Sequence, residues 1–160
     1  MEALENITYD ELQVGDTGTY TRTLTENELI LFAAVSGDIN PVHLDKEFAA
    51  KSMFKERIAH GMWSGALISA ALATVIPGPG TIYLEQNMNF KRPVKLDDTL
   101  TVKLTVAKKE SRNRVIMQCE VVNQNGELVV NGEAKVLAPV EKLTLDRPSL
   151  PKITIGELPD

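Results

Sequence analysis

The feature that most limits how this chain can fold is an uncharged stretch from residue 61 to residue 76. It reads Gly-Met-Trp-Ser-Gly-Ala-Leu-Ile-Ser-Ala-Ala-Leu-Ala-Thr-Val-Ile, and a Pro-Gly-Pro-Gly run ends it. A helix that is apolar or small on every side must be covered nearly all round. The stretch is shorter than the roughly 20 residues that span a bilayer. It therefore predicts a helix buried in protein, with the rest of the chain built around it.

After residue 80 the apolar residues recur with a period of two, which is the period of strands with one buried face. Four such runs occur, with apolar positions at Ile82, Leu84, Met88 and Phe90; Leu100, Val102, Leu104 and Val106; Val115, Met117, Cys119 and Val121; and Leu128, Val130, Ala134 and Val136. Short turn-like connections join these runs, so they predict an antiparallel meander. The expected fold class is α+β, with a long central apolar helix wrapped by a curved antiparallel sheet. The exposed sheet edge favours pairing with a second copy.

Upstream of the uncharged stretch, the sequence predicts an edge strand followed by a helix. Residues 17–24 carry the mixed polar and β-branched side chains of an edge strand. Thr25 and Glu28 have the spacing of a capping box, which opens a helix. Gly37 is a typical helix stop, so the helix is expected to end there.

The segment after Gly37 is predicted to be a loop through residue 43. Pro41 forces Asn40 out of the helical region, which breaks any continuation of the preceding helix. A short helix is then expected from residue 45 to residue 51.

The domain organisation follows from length and from the distribution of prolines. A chain of 160 residues fits one main domain, which we expect to cover residues 1–138. Residues 139–160 hold half of the chain's eight prolines and lack a regular apolar period. They are predicted to be a C-terminal arm or linker.

Charge and cysteine content exclude several classes of function. A net charge of −5 argues against a nucleic-acid partner, since phosphate binding requires a positive surface. Two histidines and one cysteine argue against a zinc site, so we expect no metal. The acidic N-terminus does not resemble a secretory signal, and a single cysteine fits a reducing compartment. We therefore expect a cytoplasmic protein without a membrane partner.

Asp38 and His43 are candidate catalytic residues because they lie five residues apart on one short segment stiffened by Pro41. A carboxylate and an imidazole held a few ångströms apart can grip one water molecule, removing one proton and supplying another. Hydration of a carbon–carbon double bond requires this chemistry. The alternative is purely structural: Asp38 closes an Asx-turn and His43 bonds a backbone carbonyl.

His60 and Gly61 stand at the start of the predicted central helix. The unpaired N–H groups of a helix N-terminus stabilise negative charge such as the one that develops on a thioester oxygen. Gly61 has no side chain to block close approach, so its N–H is a candidate oxyanion donor. Tight helix packing explains this glycine equally well.

The segment from residue 36 to 45, Ser-Gly-Asp-Ile-Asn-Pro-Val-His-Leu-Asp, resembles the hydratase motif of the MaoC-like (R)-specific enoyl-CoA hydratases and dehydratases. Residues 59–62 (Ala-His-Gly-Met) and 89–94 (Asn-Phe-Lys-Arg-Pro-Val) fall at the spacings of that family. The resemblance spans roughly residues 10–138. It implies the hotdog fold and assembly as a homodimer or a larger homo-oligomer.

The resemblance also implies the reaction and its catalytic residues. Asp38 and His43 would activate water, and the Gly61 N–H would hold the thioester oxygen of an acyl-CoA substrate. The product of hydration would be the (R)-3-hydroxyacyl thioester. No cofactor is expected, because the thioester itself acidifies C2 and coenzyme A is part of the substrate.

Three further residues are predicted to contribute to substrate binding. By resemblance, Asn40 shapes the loop and Ser69 hydrogen-bonds near the catalytic aspartate. A helix serine that bonds its own backbone is the alternative for Ser69. Trp63 stands where relatives carry smaller aliphatic residues, so it either fills part of the acyl pocket or packs in the core.

Basic residues at strand ends are candidate contacts for the phosphates of coenzyme A, with simple solvation as the alternative. They are Lys91, Arg92, Lys108, Lys109, Arg112 and Arg114. A dehydratase acting on acyl-carrier-protein substrates, a thioesterase and a non-catalytic acyl-CoA binder are the competing functions. The presence of both Asp38 and His43 favours the hydro-lyase over the last two.

Overall fold

The computed structural model describes residues 2–157 as a central helix partly wrapped by a five-stranded antiparallel sheet. The helices are α1 (Glu26–Ser36), α2 (Pro41–Leu44), α3 (Lys46–Lys51) and α4 (Gly61–Thr74). The strands are β1 (Ala3–Glu5), β2 (Thr17–Thr23), β3 (Ile82–Phe90), β4 (Thr99–Lys109), β5 (Arg114–Val122), β6 (Leu128–Leu137) and β7 (Thr144–Asp146). The predicted α+β class is confirmed.

The strands of the main sheet lie in the order β2-β4-β5-β6-β3. β4, β5 and β6 form the predicted meander, and their apolar residues make up half of the buried core. The prediction that β3 continues this meander beside β4 is wrong, because β3 pairs with β6 at the far edge. The link between β3 and β4 passes the start of α4, where the Ala59 N–H donates to the Val94 carbonyl at 2.8 Å.

The central helix α4 begins at Gly61 as predicted, and half of its 14 residues are buried. Its core-facing residues are Leu67, Ile68, Ala71 and Leu72, each at most 4% exposed. The prediction of burial nearly all round is wrong for one stripe within this single chain: Met62, Ala66, Ser69 and Ala73 are exposed. The sheet edges β2 and β3 do not meet, so this stripe stays uncovered.

No helix within residues 2–157 combines the length and apolar character that crossing a membrane requires.

In the segment before α4, the predicted ends of α1 are confirmed, but part of the loop predicted after it is helical. The Thr25 hydroxyl accepts a hydrogen bond from the Glu28 N–H at 3.2 Å, and Gly37 ends α1 with φ of 77°. The loop predicted through residue 43 is wrong beyond Asn40, since Pro41–Leu44 forms the one-turn helix α2. Proline fits the first helical position, because it lacks only an N–H that would be unpaired there.

The C-terminal arm packs against the N-terminus through a two-stranded sheet of β1 and β7. Asn6 is completely buried at this junction, and its side chain bonds the Pro79 and Glu141 carbonyls and the Leu143 N–H. The predicted boundary at residues 138 and 139 stays a prediction. Residue 1 and residues 158–160, which the predicted segments include, lie outside the described residues.

Among the glycines, Gly132 is the one where an added Cβ would come closest to backbone atoms, which yields a stability prediction. A Cβ at this position would lie 2.0 Å from the Asn87 carbonyl oxygen, which is backbone and cannot rotate away. Gly132→Ala must therefore separate β3 from β6, and we expect it to lower the free energy of unfolding by about 3 kcal/mol, the upper part of the usual overpacking range. Urea unfolding of this variant measures the loss.

The control is Gly156→Ala, since a Cβ at Gly156 meets nothing within 4 Å. This surface change should stay within about 0.5 kcal/mol of the unmodified protein. Equal stabilities of the two variants would contradict the close approach at Gly132.

Candidate active site

Asp38 is held in place by the turn that follows α1. Its N–H donates to the Ser36 hydroxyl at 3.2 Å, and its Oδ1 accepts from the Asn40 N–H at 3.2 Å. This is the Asx-turn of the structural alternative, and it occupies only one carboxylate oxygen. The Asp38 side chain is half exposed, so its second oxygen, Oδ2, is accessible.

His43 is placed by α2 and by the strand-like segment before α4. The Asn40 Oδ1 caps α2 by accepting from the Val42 N–H at 3.2 Å. The buried His43 ring makes a 2.8 Å hydrogen bond from Nδ1 to the Ile58 carbonyl. Because a carbonyl only accepts, Nδ1 carries a proton, and in the neutral ring Nε2 therefore presents a lone pair.

The two free atoms face each other, with His43 Nε2 lying 3.9 Å from Asp38 Oδ2. This distance is too long for a direct hydrogen bond, and one water molecule can bridge two polar groups at such a separation. The structural bonds use Oδ1 and Nδ1, whereas the facing atoms are Oδ2 and Nε2. The structural and the catalytic interpretation are therefore both compatible with the geometry.

Gly61 lies at the N-terminus of α4, where helix N–H groups have no intrahelical partner. Its N–H donates to no backbone acceptor within the described residues. Gly61 also lines a cavity of about 310 Å³, together with His60, Ser64, Phe90 and Val130. A Cβ on Gly61 would lie 3.0 Å from the Phe90 ring, so only glycine fits here without a shift of that ring.

Of the other predicted residues, Asn40 lies between Asp38 and His43, whereas Ser69 and Trp63 make no hydrogen bond to that pair within the described residues. Ser69 is exposed and lines a second cavity of about 560 Å³ beside β3, and no hydrogen bond joins it to Asp38 within residues 2–157. Trp63 is 5% exposed and packs in the core. Their contacts with substrate stay predictions, while Asn40 contributes to the loop as a cap.

Sequence reasoning missed the role of His60, the second of only two histidines in the chain. Its ring stacks on the His43 ring with centroids 3.8 Å apart and planes 24° apart. Its Nε2 lies 2.8 Å from the Asp38 carbonyl oxygen. The sequence feature that could have pointed to His60 was its position directly before Gly61.

Asp38, His43 and His60 are close enough together to be considered as metal ligands. An imidazole binds a metal through a lone pair that lies in the plane of its ring. When two rings are stacked, their planes are nearly parallel and intersect only along a line distant from both rings. The His43 and His60 lone pairs therefore do not converge on one ion, and the stack does not fit a site that uses both rings.

Cys119 and Tyr83 lie away from the pair, and burial changes their acidity. Desolvation raises the pKa of the Cys119 thiol to about 11 and the pKa of Tyr83 to about 12. Both groups are therefore protonated at neutral pH. The nucleophile of a cysteine enzyme is a thiolate, so Cys119 is not suited to that role.

The fold and the site define a hotdog-fold protein with an acid–imidazole pair beside the N-terminus of its central helix. The family model described as MaoC like domain matches residues 14–127, and the chain belongs to this family. The predicted family and the predicted hotdog fold are confirmed.

Three known proteins illustrate the similarity. The solved structure of the R-hydratase PhaJ1 from Pseudomonas aeruginosa, in its unliganded form, has a TM-score of 0.94 and 59% identity, covering 97% of this chain and 100% of that chain. The (R)-specific enoyl-CoA hydratase of Rhodospirillum rubrum is 37% identical over 82% of this chain and 91% of its own length. The 3-hydroxybutyryl-CoA dehydratase of Methylorubrum extorquens is 40% identical over 82% of this chain and 83% of its own length.

Proposed function

We propose that this protein is a hydro-lyase that converts trans-2-enoyl-CoA to (R)-3-hydroxyacyl-CoA, or catalyses the reverse dehydration. The observation that carries the proposal is the 3.9 Å separation of His43 Nε2 and Asp38 Oδ2, the atoms left free by the structural bonds. Hydratase and dehydratase names among the relatives support it.

The reaction needs a water molecule, a proton acceptor and a stabilised thioester oxygen. Water between Asp38 and His43 attacks C3, forming the C3–O bond while one of its protons passes to the pair. The electrons of the C2–C3 double bond move toward the thioester carbonyl, whose oxygen accepts from the Gly61 N–H. The pair then returns a proton to C2 on the same face, which restores the protonation of both side chains. The thioester supplies the acidity of C2, so the proposed reaction uses no cofactor.

The positions of the basic residues suggest how coenzyme A is oriented. Lys91 and Arg92 line the cavity beside Gly61. Lys108, Lys109, Arg112 and Arg114 lie at the other end of β4, around its turn to β5. Lys91 and Arg92 are therefore the residues that we propose to approach the phosphates of coenzyme A.

The direct test is incubation with crotonyl-CoA, following the loss of the enoyl-thioester absorbance and the chirality of the product. The expected product is (R)-3-hydroxybutyryl-CoA. Formation of the (S) product, or no turnover with crotonyl-CoA and longer enoyl-CoA esters, would overturn the proposal. Turnover of the enoyl-carrier-protein thioester alone would instead identify the carrier-protein dehydratase.

We also propose that the protein is a homodimer that pairs through the edge of β3. This strand exposes Ile82, Leu84 and Phe90, at 56%, 42% and 54%. They lie beside the uncovered stripe of α4, whose Met62 is 56% exposed. The opposite edge strand, β2, carries mainly threonine and other polar residues, so the β3 edge is the apolar one.

Leu84→Glu is expected to convert the proposed dimer to a monomer, because a charge buried between two copies lacks a partner. Sedimentation velocity measures the change. Val14→Glu is the matched control, since Val14 is 63% exposed and precedes β2 at the opposite edge. A monomeric unmodified protein, or a Leu84→Glu variant that stays dimeric, would contradict the proposed interface.

The proposed location is the cytoplasm. Cys119 is a free, buried thiol, which suits a reducing compartment.

A further inference from the structure

His60 touches both members of the Asp38–His43 pair while leaving their facing atoms free. We propose that His60 is a positioning residue that sets the distance between the Asp38 carboxylate and the His43 imidazole. This inference rests on the proposed hydratase function and adds a residue that the resemblance does not assign.

The first contact fixes the backbone of Asp38. His60 Nε2 lies 2.8 Å from the Asp38 carbonyl oxygen, which can only accept. Nε2 must therefore carry the proton and donate it. The bond joins residues 22 positions apart, so it ties the loop after α1 to the first residue before α4.

The second contact fixes the ring of His43. The two imidazoles lie almost parallel with centroids 3.8 Å apart, and Phe32 borders His60 on another side at 5.1 Å. The His43 ring is thereby held on one face by His60 and at Nδ1 by the Ile58 carbonyl. Rotation of the His43 ring, which would move Nε2 away from Asp38, is opposed by both contacts.

A purely structural role does not account for the imidazole of His60. The residue is 2% exposed, and its Nδ1 is buried without a hydrogen-bond partner among the described residues. An unpaired buried polar atom costs free energy, which a phenylalanine of similar size would avoid. His60 is also the N-cap of α4, but its side chain makes no capping bond. The donor at Nε2 is what the imidazole contributes.

Three substitutions of His60 distinguish the contribution of its Nε2–H donor from the contribution of its flat ring. Gln carries an amide N–H near the position of Nε2, Asn carries one near Nδ1, and Phe keeps a flat ring without any donor. We expect His60→Phe and His60→Asn to lower kcat about 10- to 100-fold, the loss that follows a displacement of about 1 Å. The kcat of His60→Gln should stay within about 5-fold of that of the unmodified enzyme. KM should change little in all three variants, because His60 is only 2% exposed and presents little surface to a substrate in the adjoining cavity.

The outcomes discriminate between the proposal and its alternatives. Recovery of kcat in the Gln variant alone supports the positioning role. Equal kcat in the Gln and Phe variants, or unmodified kcat in all three, overturns it. A wild-type enzyme without hydratase activity would instead be a failure of the proposed function.

NMR of the unmodified protein labelled with ¹⁵N-histidine keeps the inference testable if the variants do not fold. The chain has two histidines, and the structure gives them opposite tautomers, Nδ1–H in His43 and Nε2–H in His60. Observation of two identical neutral tautomers would overturn the proposed hydrogen bonds.

Discussion

Asp38→Asn and His43→Asn are each expected to lower kcat by about 10²- to 10⁴-fold, the usual contribution of a general acid–base group. Both variants preserve the local structure. Asn at position 38 keeps an acceptor for the Asn40 N–H, and Asn at position 43 keeps a donor near Nδ1 for the Ile58 carbonyl. Asp38→Asn replaces the acceptor Oδ2 by an amide NH2, and His43→Asn removes Nε2, so each variant lacks one acceptor that faces the proposed water.

Steady-state kinetics with crotonyl-CoA and thermal unfolding measure the two consequences separately. The double variant should lose about as much kcat as the worse single variant, because residues that act as a unit are not additive. If both single variants folded normally and kept turnover within about 3-fold of the unmodified enzyme, water activation by this pair would be ruled out.

The loop that carries Asp38 and His43 was predictable because its conformation is determined locally. The spacing of Asp38 and His43 and the stiffness of Pro41 are properties of one short segment, and the structure places the two side chains 3.9 Å apart. The sequence did not predict which atoms are free. That depends on the Ile58 carbonyl, which lies 15 residues further along the chain.

The fold was predictable in its elements and less so in their arrangement. A period of two identifies a strand and its apolar face, and it predicted the buried positions of β4 and β5. In β6 it predicted Val130, Ala134 and Val136 correctly, but Leu128 is only half-buried and Val129 is buried instead. It carries no information about which strand is a neighbour, so the pairing of β3 with β6 was missed. β1 and β7 have three residues each, too few to show a period.

The sequence pattern does not show which surfaces are in contact, and this also explains two errors in the predicted burial. The absence of charge on α4 correctly predicted an apolar environment, but not that one chain leaves the stripe at Met62 uncovered. Ile82, Leu84 and Phe90 of β3 were predicted to be buried and are exposed at the sheet edge in the single chain, whereas Met88 is half-buried against the core. Both errors fall on adjacent surfaces, which is why we attribute them to a partner copy.

Gly61 offers a substitution that removes a single N–H from the proposed oxyanion site. Gly61 is the first residue of α4, a position where proline is favoured because its missing N–H would be unpaired. The preceding residue, His60, has ψ of 135°, which is compatible with a following proline. Gly61→Pro should therefore fold, yet it lacks the proposed donor to the thioester oxygen.

We expect Gly61→Pro to lower kcat about 10²- to 10³-fold, the usual cost of losing one oxyanion donor. Gly61→Ala is the matched control, because it adds a Cβ and keeps the N–H. That Cβ would lie 3.0 Å from the Phe90 ring, a side chain that needs to shift by only a few tenths of an ångström. The Ala variant should therefore stay within about 5-fold of the unmodified enzyme.

The comparison of the two variants decides what position 61 contributes. Steady-state kinetics give kcat for each, and thermal unfolding shows whether α4 remains intact. A large loss in the Pro variant alone assigns the effect to the missing N–H. Equal losses in both would mean that crowding against Phe90 or the substrate is responsible, and the assignment of Gly61 as the oxyanion donor would be wrong.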